Sequence, residues 1–127
     1  MATRRAPPPG DAAESLVADR LVAAGWTLCA RRLRLGALEI DLLVRRGDLV
    51  AVVEVRGRRL DGWRSPLDSI GPTKQRRLAR AARRLWFERF ADDPTARVIR
   101  IDVAGVTFGV GPPEVEIVEG AIDPELR

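Results

Sequence analysis

The sequence predicts one domain of the α/β or α+β class, built on a sheet of about five strands in the element order α-β-β-β-α-β-β. Three observations predict it. A length of 127 residues suits a single core and not two. Residues 38–45 and 49–56 read as two strands joined by the short turn Arg46-Gly47-Asp48, which makes an antiparallel hairpin. A long amphipathic helix then separates this hairpin from a later pair of strands.

Residues 1–10 are Pro-rich and polar and read as a flexible tail, leaving 11–127 as the domain. Asp11 is placed as an N-cap, with Glu14 three positions on as in a capping box. Ala13, Leu16, Val17, Leu21, Val22 and Ala24 give a helical stripe that Gly25 closes, so a helix is expected over 11–24. Residues 26–34 read as a strand. In 38–45, Leu38, Ile40, Leu42 and Val44 take one face, and Glu39, Asp41 and Leu43 the other. Residues 49–56 are apolar almost throughout, as in a central strand covered on both faces. Residues 57–71 are a Gly/Arg/Pro connection around Trp63, with room for one helical turn near Pro66. Pro72 suits the first position of a helix. Leu78, Ala81, Ala82, Leu85 and Trp86 recur at helical spacing from there, and Asp92-Asp93-Pro94 ends the segment. Residues 97–104 alternate as a strand, 105–113 form a loop, and 114–118 make a last, edge strand.

Composition narrows the chemistry. The chain has no histidine and one cysteine, Cys29. Ser-His-Asp and Cys-His catalysis, His-ligated metals, an internal disulfide and a multi-cysteine zinc site are therefore excluded. Carboxylates, Lys/Arg and a hard, oxygen-loving cation remain. No apolar run approaches the roughly 20 residues of a membrane helix, and the N-terminus lacks the apolar stretch of a secretory signal. A cytoplasmic protein with no membrane partner is expected. Charge is unevenly spread: residues 56–89 carry net +8, between net +1 for residues 1–55 and net −5 for residues 90–127. A basic block of this kind suits a polyanion. Lys74 is the one lysine among 22 positive residues.

The unusual residue is Glu54, a carboxylate inside the most apolar stretch of the chain. The neighbouring strand of the hairpin carries Asp41. Two such carboxylates within about 4 Å repel by ~4 kcal/mol at an effective dielectric of 20. A divalent cation between them reverses the sign, and Mg²⁺ (or Mn²⁺) is typically held by one or two carboxylates plus phosphate and water. Arg56 lies on the same face as Glu54 and could neutralise a phosphate oxygen. Each residue also has a plainer reading. Glu54 can be a strand carboxylate paired with Arg56, Asp41 can sit on a solvated hairpin face, and Glu14 can simply complete a helix cap. Arg58, Arg59 and Arg64 flank Trp63, whose ring can stack on an unpaired base or plug the sheet edge. Arg76, Arg77, Arg80, Arg83 and Arg84 read as a solvated helix face, Trp26 and Trp86 as core, and Cys29 as a small core residue.

Asp41 followed by Glu54-Val55-Arg56 on the next strand resembles the PD-(D/E)xK nuclease core. With Glu14 on a first helix, the segments 38–43 and 49–58, Lys74 opening a long helix and Arg100-Ile101-Asp102-Val103 on a later strand, residues 11–104 look like the bacterial YraN-like family. Members of that family are regarded from sequence as small endonucleases, similar to Holliday-junction resolvases and restriction enzymes. The resemblance implies an α/β, restriction-endonuclease-like fold, a mixed sheet flanked by helices. It implies Asp41, Glu54, Glu14 and the Val55 carbonyl as metal ligands, and Arg56 at the position of the motif lysine. Lys74 and Gln75 would face the same site. A Mg²⁺-dependent endonuclease acting on DNA rather than RNA follows, on branched or recombination intermediates, and a homodimer is compatible with it. Arginine cannot act as a general base, so a nucleic-acid-binding protein with impaired catalysis is an alternative, as is a protein-interaction domain with a basic docking face.

Overall fold

Two helices pack on opposite faces of a five-stranded mixed sheet, in the computed structural model that describes residues 9–59 and 64–127. The elements are α1 (Pro9–Ala23), β1 (Thr27–Leu35), β2 (Leu38–Arg46), β3 (Leu49–Arg59), a 3₁₀ turn (Pro66–Ser69), α2 (Pro72–Leu85), a π turn (Trp86–Phe90), β4 (Val98–Phe108) and β5 (Glu114–Ile122). The strands lie side by side in chain order. All neighbours are antiparallel except β3 and β4, which run parallel with α2 as the crossover. This is the α/β order α-β-β-β-α-β-β expected from the sequence. No helix among the described residues is long and apolar enough to cross a membrane.

Two apolar layers cover the sheet. On one face Leu78, Ala79, Ala81, Ala82 and Leu85 of α2 bury Ile40, Leu43, Val50, Val52, Ile101 and Val103. On the other, Ala13, Val17, Ala18 and Leu21 of α1 bury Leu42, Val44, Ala51, Val53, Ala104 and Val106. β3 supplies buried residues to both layers, as its apolar run requires.

Four local expectations are corrected. Pro9, not Asp11, opens α1: proline needs no amide partner in the first turn, and Asp11 falls inside that turn. β3 runs on to Arg59 and β4 to Phe108, because Gly57–Arg59 pair with Val106–Phe108. These pairings join residues about fifty positions apart, and the local Gly/Arg composition resembles a loop. β5 likewise continues to Ile122, past a bulge opposite Asp102. Cys29 is exposed, not core, at a register shift on the edge strand β1.

The alternation of β2 also breaks. Ile40 and Leu43 face α2, whereas Leu42 and Val44 face α1. The switch falls at Asp41. Across from it on β1 stands Arg32, the one non-glycine at positive φ (50°) among the described residues. Both strands therefore twist out of the regular pleat at the same level, which turns Asp41 away from an ordinary strand position.

Candidate active site

Asp41 and Glu54 occupy the point where β2 and β3 part. Their ladder runs from Arg46–Leu49 to Leu42–Val53 and stops one position short of Asp41–Glu54. Beyond it the Asp41 Oδ2 accepts the Val55 N–H at 2.8 Å, so a side chain takes the proton a strand carbonyl would otherwise receive. Val55 packs on the α1 side, and Glu54 therefore projects to the α2 side, where it is 3% exposed.

Glu54 is held in an adverse environment. Burial, the charge of Asp41 and a side-chain hydrogen bond with Asp41 push its carboxyl up from 4.5 to about 7, against the opposing pull of Lys74. Lys74, on the first turn of α2, brings Nζ to 3.3 Å from Glu54 Oε2. The Arg56 guanidinium stands farther off, with Nη1 at 3.9 Å from the same oxygen. Its other nitrogens donate to the Ser69 Oγ at 3.1 Å and the Ser69 carbonyl at 3.3 Å. Arg56 thus ties the 3₁₀ turn to the sheet, while Lys74 holds the nearer positive charge. Ser69 was not legible as a partner, since nothing local marks a serine thirteen residues on.

Glu14 reaches the neighbourhood from α1 but turns toward β1. Its Oε1 accepts from Arg32 Nε at 3.2 Å, with Arg31 Nη2 at 3.8 Å. Arg32 also pairs with Asp11. Burial first, then the charge of Asp41, raises the Glu14 carboxyl, Arg31 opposes the rise and Glu39 adds to it. Glu14 and Asp41 therefore sense each other. Among the described residues, however, no three Asp, Glu or Cys side chains stand close enough together to hold a metal ion. The structure brings Asp41, Glu54, Lys74 and Arg56 together and leaves Glu14 paired with arginines.

Other candidates sit as follows. Gln75 donates to the Ile70 carbonyl at 2.9 Å and so braces the approach to α2. Arg58 donates to the Thr107 Oγ1 at 3.1 Å across the β3–β4 pair. Arg64 is exposed. Arg59 enters through its backbone, paired with Phe108, and Trp63 lies outside the described residues. Trp26 is core, covered by the Arg46 guanidinium at 4.4 Å and Arg100 at 5.7 Å. Trp86 is partly buried and stacks on Phe90.

A second buried carboxylate, Asp102, belongs to the α1 face and not to this site. Arg100 clasps it with two bonds of 2.8 and 2.9 Å, and the Gly120 N–H of the β5 bulge adds a third at 2.9 Å. All its needs are met within the fold, and it serves to anchor β5.

Residues 13–106 match the model of the uncharacterised protein family UPF0102. A UPF0102 protein of Sorangium cellulosum is 40% identical over 113 residues, covering 88% of this chain and 78% of its own. One from Streptomyces coelicolor is 39% identical over 109 residues, covering 84% and 82%. Among solved structures, Pyrococcus furiosus SfsA in complex with Ca²⁺ aligns with a TM-score of 0.40 and 14% identity, over 87% of this chain and 61% of that one.

Proposed function

The chain belongs to the UPF0102 (YraN-like) family, and from that premise we propose that it is a metal-dependent endonuclease acting on DNA phosphodiesters. The observation that carries this reading is the buried Glu54 set against the half-buried Asp41 where β2 and β3 part, with Lys74 in contact with Glu54. Two carboxylates forced together in an apolar wall disfavour each other's charge, which a structural role does not require.

Asp41 and Glu54 fit a hard divalent cation. Their oxygens match Mg²⁺ or Mn²⁺, which takes one or two carboxylates and fills its remaining positions with water and phosphate. Bound there, such an ion would polarise a phosphate oxygen and make a coordinated water more acidic. The chain's own groups would do the rest. Val55 fixes the Asp41 carboxylate through its amide. Without a cation Glu54 titrates near 7, so binding the ion would displace its proton at neutral pH. Lys74, about half exposed, presents an ammonium to an incoming phosphate while still in contact with Glu54. Arg56 adds charge behind it and keeps the 3₁₀ turn in place. In the hydrolysis a water oxygen bonds to phosphorus, one ester P–O bond breaks and the leaving oxygen takes a proton.

Incubating fluorescently labelled linear and branched DNA with the protein and Mg²⁺ or Mn²⁺ tests this. Cleavage that disappears with Asp41→Ala is the expected result, and equal product from both proteins rejects the reading. DNA binding without turnover is the second reading. It is favoured by Arg56, which stands at the motif lysine position but is bonded to Ser69. Salt-sensitive binding with no cleavage in either metal would select it.

A further inference from the structure

Beside the carboxylate pair, the turn between β1 and β2 and one face of α2 enclose a notch of about 150 Å³. Leu78 and Ala81 line it below, Ala37 and Glu39 form the hairpin side, and Lys74 and Arg77 the helix side. We propose that this notch is a subsite for a backbone phosphate of the DNA strand, received by Arg77 at a linkage next to the one cut. The proposal rests on the endonuclease reading and deepens it.

Lys74 lines the notch and also contacts Glu54, so the notch adjoins the carboxylate pair. Arg77 follows Lys74 by three positions, which sets them on one helix face, about one turn apart. Their partners differ. Lys74 is engaged with Glu54. Among the other arginines of α2, the exposed Arg80 also lacks a partner among the described residues but does not line the notch, and the remaining three are engaged. Arg76 reaches Thr73, Arg83 binds the Pro124 and Leu126 carbonyls, and Arg84 binds the Leu35 carbonyl and Glu88. Among the described residues Arg77 makes no hydrogen bond or ion pair. The carboxylate of the notch, Glu39, is offset by Arg34 at 3.5 Å. The free valence of the notch is therefore a guanidinium, whose planar donors suit phosphate in a two-point grip. Below it, the apolar lining can take the sugar.

The wall opposite Arg77 is fixed. Arg84 bonds the Leu35 carbonyl and lies so close to Gly36 that a Cβ there would stand 2.9 Å from its Nη1. Gly36, at φ +64°, turns the chain without a side chain in that gap. The hairpin thus stays docked on α2, and the notch keeps its width.

The test is fluorescence anisotropy with a labelled random-sequence duplex in EDTA, from 50 to 200 mM salt, using the full chain and three variants. Arg77→Ala should weaken binding about tenfold, and the slope of log K against log salt should fall by about 0.9, the share of one phosphate contact. Arg77→Lys should restore the slope but only part of the affinity. Arg76→Ala removes the same charge from outside the notch and should change affinity less than about twofold. Thermal melts of all three should match the wild type, since both positions are exposed. Equal behaviour of the Arg77→Ala and Arg76→Ala proteins overturns the subsite while leaving the endonuclease reading intact. A wild type that neither binds nor cuts DNA overturns both.

Discussion

Replacing Glu54 by glutamine should make the protein more stable, by an amount that grows from pH 4.5 and is full above pH 7. The substitution keeps the side chain's shape and a hydrogen-bonding group toward Asp41 but removes the charge. In the folded chain the Glu54 carboxyl titrates at about 7, pushed up by burial and by Asp41, from the ordinary 4.5. Between those two pH values the folded state holds a proton that the unfolded chain has lost. Folding stability due to this group is therefore intact below pH 4.5, falls as pH rises through the window, and levels off above 7. A displacement of this size corresponds to about 3 kcal/mol at pH 8. Wild type and Glu54→Gln should melt alike near pH 4.5, and the variant should melt about 10 °C higher at pH 8. The assay is thermal unfolding by circular dichroism in EDTA, across pH 4.5 to 8. A gap that is absent at pH 8, or that stays constant with pH, would refute the reasoning: the carboxyl would then be neither desolvated nor repelled.

Three further outcomes follow from the same geometry. Lys74→Met should raise the Glu54 midpoint further, because the ammonium now favours the carboxylate; ¹³C NMR of labelled glutamate reads it, and a downward move contradicts the pairing. Asp102→Ala should destabilise the fold by about 3 kcal/mol in urea unfolding, since Arg100 and the Gly120 amide lose a buried partner; a loss under about 1 kcal/mol rejects the anchoring role. In cleavage assays Lys74→Ala should reduce the rate at least tenfold while Arg56→Lys changes it by less, and the reverse ranking would move the working cation back to residue 56.

The hairpin, the crossover helix and the parallel partner strand were legible because each rests on a local pattern. β2 and β3 show apolar runs around a glycine turn, and α2 shows an apolar stripe behind a proline. Glu54 was legible as an anomaly for the same reason, a charge where the pattern demands none. What stayed hidden depends on distant pairing. Gly57–Arg59 read as loop until Val106–Phe108 are laid beside them. The switch of faces at Asp41 arises from a twist shared with Arg32, and no residue preference announces an arginine at φ 50°. Cys29 follows from the same irregular edge: its register shift puts a side chain expected inside into solvent. Glu14, expected at the cation site from the family resemblance, lies within electrostatic reach of Asp41, yet the arginines that hold it, Arg31 and Arg32, come from a strand whose composition reveals only that it is basic. The carboxylate pair thus followed from the sequence, whereas its cationic surroundings followed from the fold.

Mn²⁺ binding followed by electron paramagnetic resonance asks most directly whether Asp41 and Glu54 act as one cation site. One ion per wild-type chain is expected, lost in both Asp41→Asn and Glu54→Gln, and displaced by excess Mg²⁺. Undiminished binding in either variant, or no bound ion in the wild type with or without DNA, would contradict a shared site.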